Sequence, residues 1–125
     1  MKVKTGINGP TIHQITDIFP EVEAIDRTAI NAWEDGDFVR AVKATGRRKL
    51  VMAALWTEVC LAVPSLDALA AAFEVYPVID PVGGTSVEAH EPGLRRIVQA
   101  GARPISWVSL ACKLARLEPD TSALS

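Results

Sequence analysis

The residues with most capacity for chemistry sit in one short run, Trp56-Thr57-Glu58-Val59-Cys60. This run follows the apolar stretch Leu50 to Leu55, so it reads as the turn from a strand into a helix, with Thr57 as the helix cap. Cys60 then falls in the first turn. There, unpaired N–H groups and the positive end of the helix dipole favour a thiolate and can hold an oxyanion. That is the placement of a nucleophile. A free cysteine is also often a small buried residue, and position alone leaves both readings open. A thiolate further needs a proton acceptor and a positive partner. Cys112, between Leu110 and Leu114 in an apolar helix pattern, reads as core.

Three other strand-to-helix junctions can be read: Asp26-Arg27-Thr28, Asp80-Pro81-Val82-Gly83-Gly84-Thr85, and Ser106-Trp107. In parallel α/β sheets such junctions meet at one edge, where ligands bind. Thr85 and Glu88 have the spacing of a capping box that opens a helix. Asp80 reads as a turn residue before Pro81, with an active-site acid as the second reading. The glycines at 83 and 84 do not form a phosphate loop, since no Lys follows them. His13 and His90 lack the spacing of a metal-ligand pair, so His90 reads as solvated and neither a metal nor a cofactor is expected. Trp33, Trp56 and Trp107 lie at or near junctions. They suit the walls of an apolar pocket or the contacts between subunits.

The elements that must position these residues alternate. A helical pattern over Asp37 to Thr45 stops at Gly46 and leads to the strand Leu50 to Leu55. Ala68 to Phe73 leads, without a glycine stop, to the strand-like run Glu74 to Ile79. Leu94 to Ala100 stops at Gly101 and leads through Arg103 to Trp107 into a helical pattern from Val108 to Leu117. Glu21 to Ile25 alternates at period two and predicts a strand with one buried face. Before it, Asn8-Gly9-Pro10 marks a turn, and a short piece spaced by Ile12, Ile15 and Ile18 ends at Pro20. Residues 118–125 read as a flexible tail. Helices alternating with apolar strands predict an α/β fold, a three-layer α/β/α arrangement around a mainly parallel, Rossmann-like sheet.

The chain has 125 residues, 49% of them hydrophobic, which suits a single domain over residues 1–125 with a real core. Its formal net charge is −2, and no run of four Lys/Arg occurs. That argues against a protein that coats nucleic acid or anionic lipid. Apolar runs fall far short of the ~20 residues a membrane helix needs, and no signal pattern opens the chain, so a cytoplasmic protein is expected. The two cysteines form no CxxC, which predicts neither a zinc site nor a disulfide framework.

The stretch from Val39 to Ala62, with Gly46-Arg-Arg-Lys-Leu-Val-Met-Ala-Ala-Leu-Trp-Thr-Glu-Val-Cys60 at its centre, resembles the core of the isochorismatase-like cysteine hydrolases, which include nicotinamidases. The likeness extends to Ile30-Asn-Ala-Trp33 before it and through Ala68 to Cys112 after it. The resemblance implies a Cys nucleophile, an Asp general base, a Lys or Arg, and a cis peptide shortly before the cysteine. Cys60 matches the nucleophile and Leu55-Trp56 the cis bond. The N–H groups of Trp56 and Cys60 match the oxyanion hole. Arg27 is the cation just before Ile30-Asn-Ala-Trp33 and matches the thiolate-stabilising cation, although a gapless register would set Asp26 there. Trp33, Thr57 and Thr85 are the expected binding residues, the Thr85 loop lying at the rim of the family's active site.

The sequence departs from the family in one respect. The general-base Asp closes a first strand on Asp-x-Gln, and no such segment is present; Asp17 and Asp26 stand in other contexts. The chain therefore reads as an isochorismatase-like domain incomplete at its N-terminus, lacking the first two strands. The strand Leu50 to Leu55 would then have a bare edge, open to another chain, and a homo-oligomer is expected. The function implied is hydrolysis of a C–N bond in a small amide through Cys60, impaired by the missing Asp. The alternative is a non-catalytic scaffold or binding subunit. A third expectation is that the start lies inside a longer reading frame.

Overall fold

The structure is a computed structural model and describes residues 11–115. The chain forms two compact units, residues 1–46 and 47–125.

In the first unit, helix α1 (His13–Thr16) is followed by irregular chain, a 3-10 turn at Ala32–Glu34 and helix α2 (Gly36–Ala44). Both later elements start on a side-chain cap. Asn31 accepts from the Trp33 N–H at 3.0 Å, and Asp35 accepts from the Phe38 N–H at 3.0 Å. These caps bring the Trp33 and Phe38 rings edge to face, with centroids 6.3 Å apart. Helix α2 ends as its pattern predicts, at a left-handed Gly46 (φ +66°). The expected strand Glu21–Ile25 does not form: the segment is irregular, and Val22 is exposed. Period-two alternation permits a strand, but a strand also needs a hydrogen-bonded neighbour, and none of the described residues supplies one.

In the second unit, strands β1 (Lys49–Met52) and β2 (Glu74–Pro77) pair in parallel, Lys49 opposite Glu74 and Met52 opposite Pro77. Helix α3 (Ala62–Ala70) makes the crossover between them, as a parallel pair requires. After β2 comes helix α4 (Val87–Gln99), and residues 103–105 return beside β2. The Arg103 N–H donates to Val75 O at 2.9 Å and the Ile105 N–H to Pro77 O at 3.0 Å, with Val78 and Ile105 bridged in parallel. The sheet thus runs β1, β2, residues 103–105, all parallel, which is the predicted α/β plan. Helix α5 (Trp107–Ala115) follows.

Leu61, Ala62, Ala68, Val75 and Ile97 are buried between sheet and helices and form the core of this unit. Helix α3 lacks a glycine stop, and Ala72 takes the left-handed conformation instead (φ 69°). Its N–H donates to Leu69 O at 3.0 Å and that of Phe73 to Ala68 O at 3.1 Å, so the last carbonyls of the helix are satisfied. Cys112 corrects the sequence reading: it is exposed, and α5 buries none of its residues. An apolar pattern predicts core only where another surface covers it, and no described residue covers this face.

Candidate functional site

The junctions after β1 and β2 and before α5 come together at one edge of the sheet. Leu55, just past β1, bridges in parallel to Gly83, and the Thr57 N–H donates to Gly83 O at 2.9 Å. Asp80 Oδ1 accepts from the Trp107 N–H at 3.0 Å, which fixes the start of α5 to the end of β2. Asp80 is a cap for another segment, a tighter role than the turn residue expected.

Cys60 sits in a π-helical turn, Thr57–Leu61, that runs directly into α3. The Leu55–Trp56 peptide before it is cis, as the resemblance implies. Trp56 O accepts from both the Val59 and Leu61 N–H groups at 3.2 Å, which widens the turn. Cys60 is half-buried and free.

Thr57 does not cap this turn, contrary to the sequence expectation; Trp56 stands at the cap position without a side-chain bond. The Thr57 side chain is fully buried, and its Oγ1 lies 2.8 Å from His90 Nδ1 on α4. His90 is therefore not the solvated histidine its sequence context suggested. A buried hydroxyl needs a partner, and the imidazole on α4 supplies it.

The expected capping box of Thr85 and Glu88 is also replaced. Ser86 caps α4, accepting from the Ala89 N–H at 3.1 Å. Thr85 turns to Glu58, whose Oε1 accepts from the Thr85 N–H at 3.0 Å and from its Oγ1 at 2.6 Å. A carboxylate that takes two donors at once outcompetes a cap one helical turn away. These bonds hold the Glu58 carboxyl below the usual carboxylate range, the Thr85 hydroxyl contributing most and His90 adding a smaller attraction. Glu58 and His90 escaped the sequence reading, because their partners lie 27 and 33 positions away.

Gly93 shows how tightly α4 packs on this turn: a Cβ there would lie 2.9 Å from Glu58 Cα. Beside the contact, Val82, Gly83, Gly84, Ser86, Val87 and His90 line an open depression of about 390 Å³. Trp56 and Trp107 are both exposed at this edge of the unit.

The remaining expected residues belong to the first unit. Arg27 bonds within its own loop, to Ala29 O and, at 2.7 Å, to Ile30 O. Trp33 is half-buried against Phe38. Among the described residues no group of three His, Cys, Asp or Glu could hold a metal ion.

The parallel sheet between helices agrees with what the chain matches. Residues 2–109 match the isochorismatase domain, and the chain belongs to that family. It is 41% identical over 114 residues to YcaC of Escherichia coli K12, described as a probable hydrolase, covering 90% of this chain and 55% of YcaC. The solved E. coli YcaC structure, described as an octameric hydrolase of unknown specificity, aligns with a TM-score of 0.90 at 39% identity, over 98% of this chain and 61% of that one. YcaC from Pseudomonas aeruginosa, solved with hexane-2,5-diol and covalent acrylamide, aligns with a TM-score of 0.88 at 38% identity, over 94% and 59% of the two chains. A pyrazinamidase of Pyrococcus horikoshii is more distant, with a TM-score of 0.60 at 26% identity over 70% of this chain and 49% of that one. The chain thus spans only 55% of the length of the curated relative it matches.

Proposed function

We propose that this chain carries the nucleophile of an isochorismatase-family hydrolase that opens a C–N bond in a small amide. The observation that carries this reading is the place of Cys60, in a helical turn at the carboxyl end of β1, with the flanking Thr57 and Glu58 side chains both committed to partners across the turn. Cys60 is then the one reactive side chain in the run. Its sulfur attacks the amide carbonyl, the backbone N–H groups of Trp56 and Cys60 receive the oxyanion, the amine leaves, and water releases the acid. Thr57 and Thr85 hold the wall of the binding site through their bonds to His90 and Glu58.

Two features of relatives support the reading. Acrylamide, covalently present in the P. aeruginosa relative, is an electrophile that thiolates attack. The pyrazinamidase relative is named for an amide substrate. The amine leaving group needs a proton donor, which the resemblance assigns to the family's Asp. The E. coli relative is described as octameric, which supports a homo-oligomer here.

The test is ammonia release from a panel of small primary amides by the wild-type chain and by Cys60→Ala. Release that disappears with Cys60→Ala supports the hydrolase. Equal release by both proteins, or none from the wild type, favours a non-catalytic subunit.

A further inference from the structure

Glu58 stands two positions before Cys60 and is bonded to a loop far along the chain. Its two Thr85 bonds both end on Oε1, while Oε2 is shielded from solvent and has no hydrogen-bond partner among the described residues. Glycines close in around it. A Cβ at Gly84 would lie 2.8 Å from Glu58 Oε2, and one at Gly93 would lie 2.9 Å from Glu58 Cα. The carboxylate is thus gripped between the 82–85 loop and α4, and the same loop is tied to the turn again by the Thr57 N–H on Gly83 O. This arrangement suits a fixed strut. It does not suit a general base, since an engaged, firmly ionised carboxylate is a poor proton acceptor.

We propose that Glu58 is a positioning residue for Cys60: its carboxylate locks the 82–85 loop to the cysteine-bearing turn, so that the turn and the depression beside the loop keep one geometry. The inference rests on the reading of Cys60 as nucleophile. A thiol displaced by a fraction of an ångström from its N–H groups loses much of its reactivity. The lock is also charge-assisted, because the ionised carboxylate accepts both Thr85 donors at once. His90 on α4 is the titratable group that acts on it.

Two variants of the intact chain test the lock. Thr85→Val removes the hydroxyl donor and keeps the N–H; Glu58→Gln keeps an acceptor oxygen and drops the charge. Alkylation by acrylamide is followed separately at Cys60 and Cys112 by peptide mass spectrometry. Thr85→Val is expected to slow Cys60 by roughly tenfold and leave Cys112 unchanged, with Glu58→Gln in between. The Thr85 amide resonance should titrate with Glu58 in the wild type, with a midpoint below the usual carboxylate range, and stay flat through that range in Glu58→Gln. An unchanged Cys60 rate in Thr85→Val, or a Thr85 amide that does not titrate in the wild type, overturns the proposal. A wild-type Cys60 slower than Cys112, with the Thr85 titration intact, would instead defeat the nucleophile reading and leave the strut without a thiol to position.

Discussion

Replacing Thr57 by Val keeps its shape and deletes one hydroxyl, and the consequence falls on His90. Nδ1 of His90 then loses its 2.8 Å partner inside a packed interface. Thr57→Val is expected to destabilise the chain by about 0.5–1.5 kcal/mol, the net worth of one hydrogen bond, read as a lower midpoint in chemical denaturation. Glu58 answers to pH. Its carboxyl is held below its ordinary value in the folded chain, chiefly by the Thr85 hydroxyl. Its contribution to stability is therefore complete above the unfolded-state value and is lost as pH falls through the folded-state value. Thermal melts of Glu58→Gln should accordingly decline less steeply into acid than those of the wild type. Parallel declines would show that the carboxylate is no more stabilised in the folded chain than in the unfolded one.

Helix α4 meets the Cys60 turn at Gly93, where only hydrogen fits. Gly93→Ala sets a Cβ against the Glu58 backbone and is expected to cost about 1–3 kcal/mol through forced displacement. Gly46→Ala has open space around it and meets only the strain of its positive φ, about 1–2 kcal/mol. Glu58–Thr85 contact should weaken in the first variant and stay intact in the second, which the Thr85 amide resonance can report. These elements also divide what local pattern can announce from what it cannot. The strand before Trp56, the helix stop at Gly46 and the return of the chain after Gly101 follow from periodicity and glycine alone, and the structure keeps all three. The cysteine at the junction was visible for the same reason. Thr57 and Thr85 read as caps in the sequence because caps are local, whereas their partners, His90 and Glu58, are brought near only by packing. Glu21 to Ile25 and Cys112 failed for a related reason: alternation and apolar spacing describe a face, and whether that face is covered is decided elsewhere in the fold.

The surface of the second unit carries the marks of a protein that associates. In parallel pairing, Arg48 O and Met52 O point to β2, which leaves the N–H and C=O groups of Lys49, Val51 and Ala53 on the other edge. No strand among the described residues pairs there. Val51, Leu55, Trp107 and Leu114 are each about half exposed or more, at 53%, 63%, 61% and 56%. An unpaired apolar edge and an uncovered amphipathic helix favour assembly. Sedimentation is expected to find species heavier than the 13.4 kDa chain, and Val51→Lys is expected to shift them toward the monomer. A monodisperse 13.4 kDa species with a cooperative melt would contradict the open edge.

The most direct measurement compares alkylation rates of the two cysteines in the native wild-type chain near neutral pH, resolved by peptide mass spectrometry. Exposure alone favours Cys112, which lies open on α5, over the half-buried Cys60. If the turn after β1 activates its cysteine, Cys60 reacts faster despite its lower exposure. Preferential labelling of Cys112, with Cys60 slow until the chain unfolds, would contradict the account.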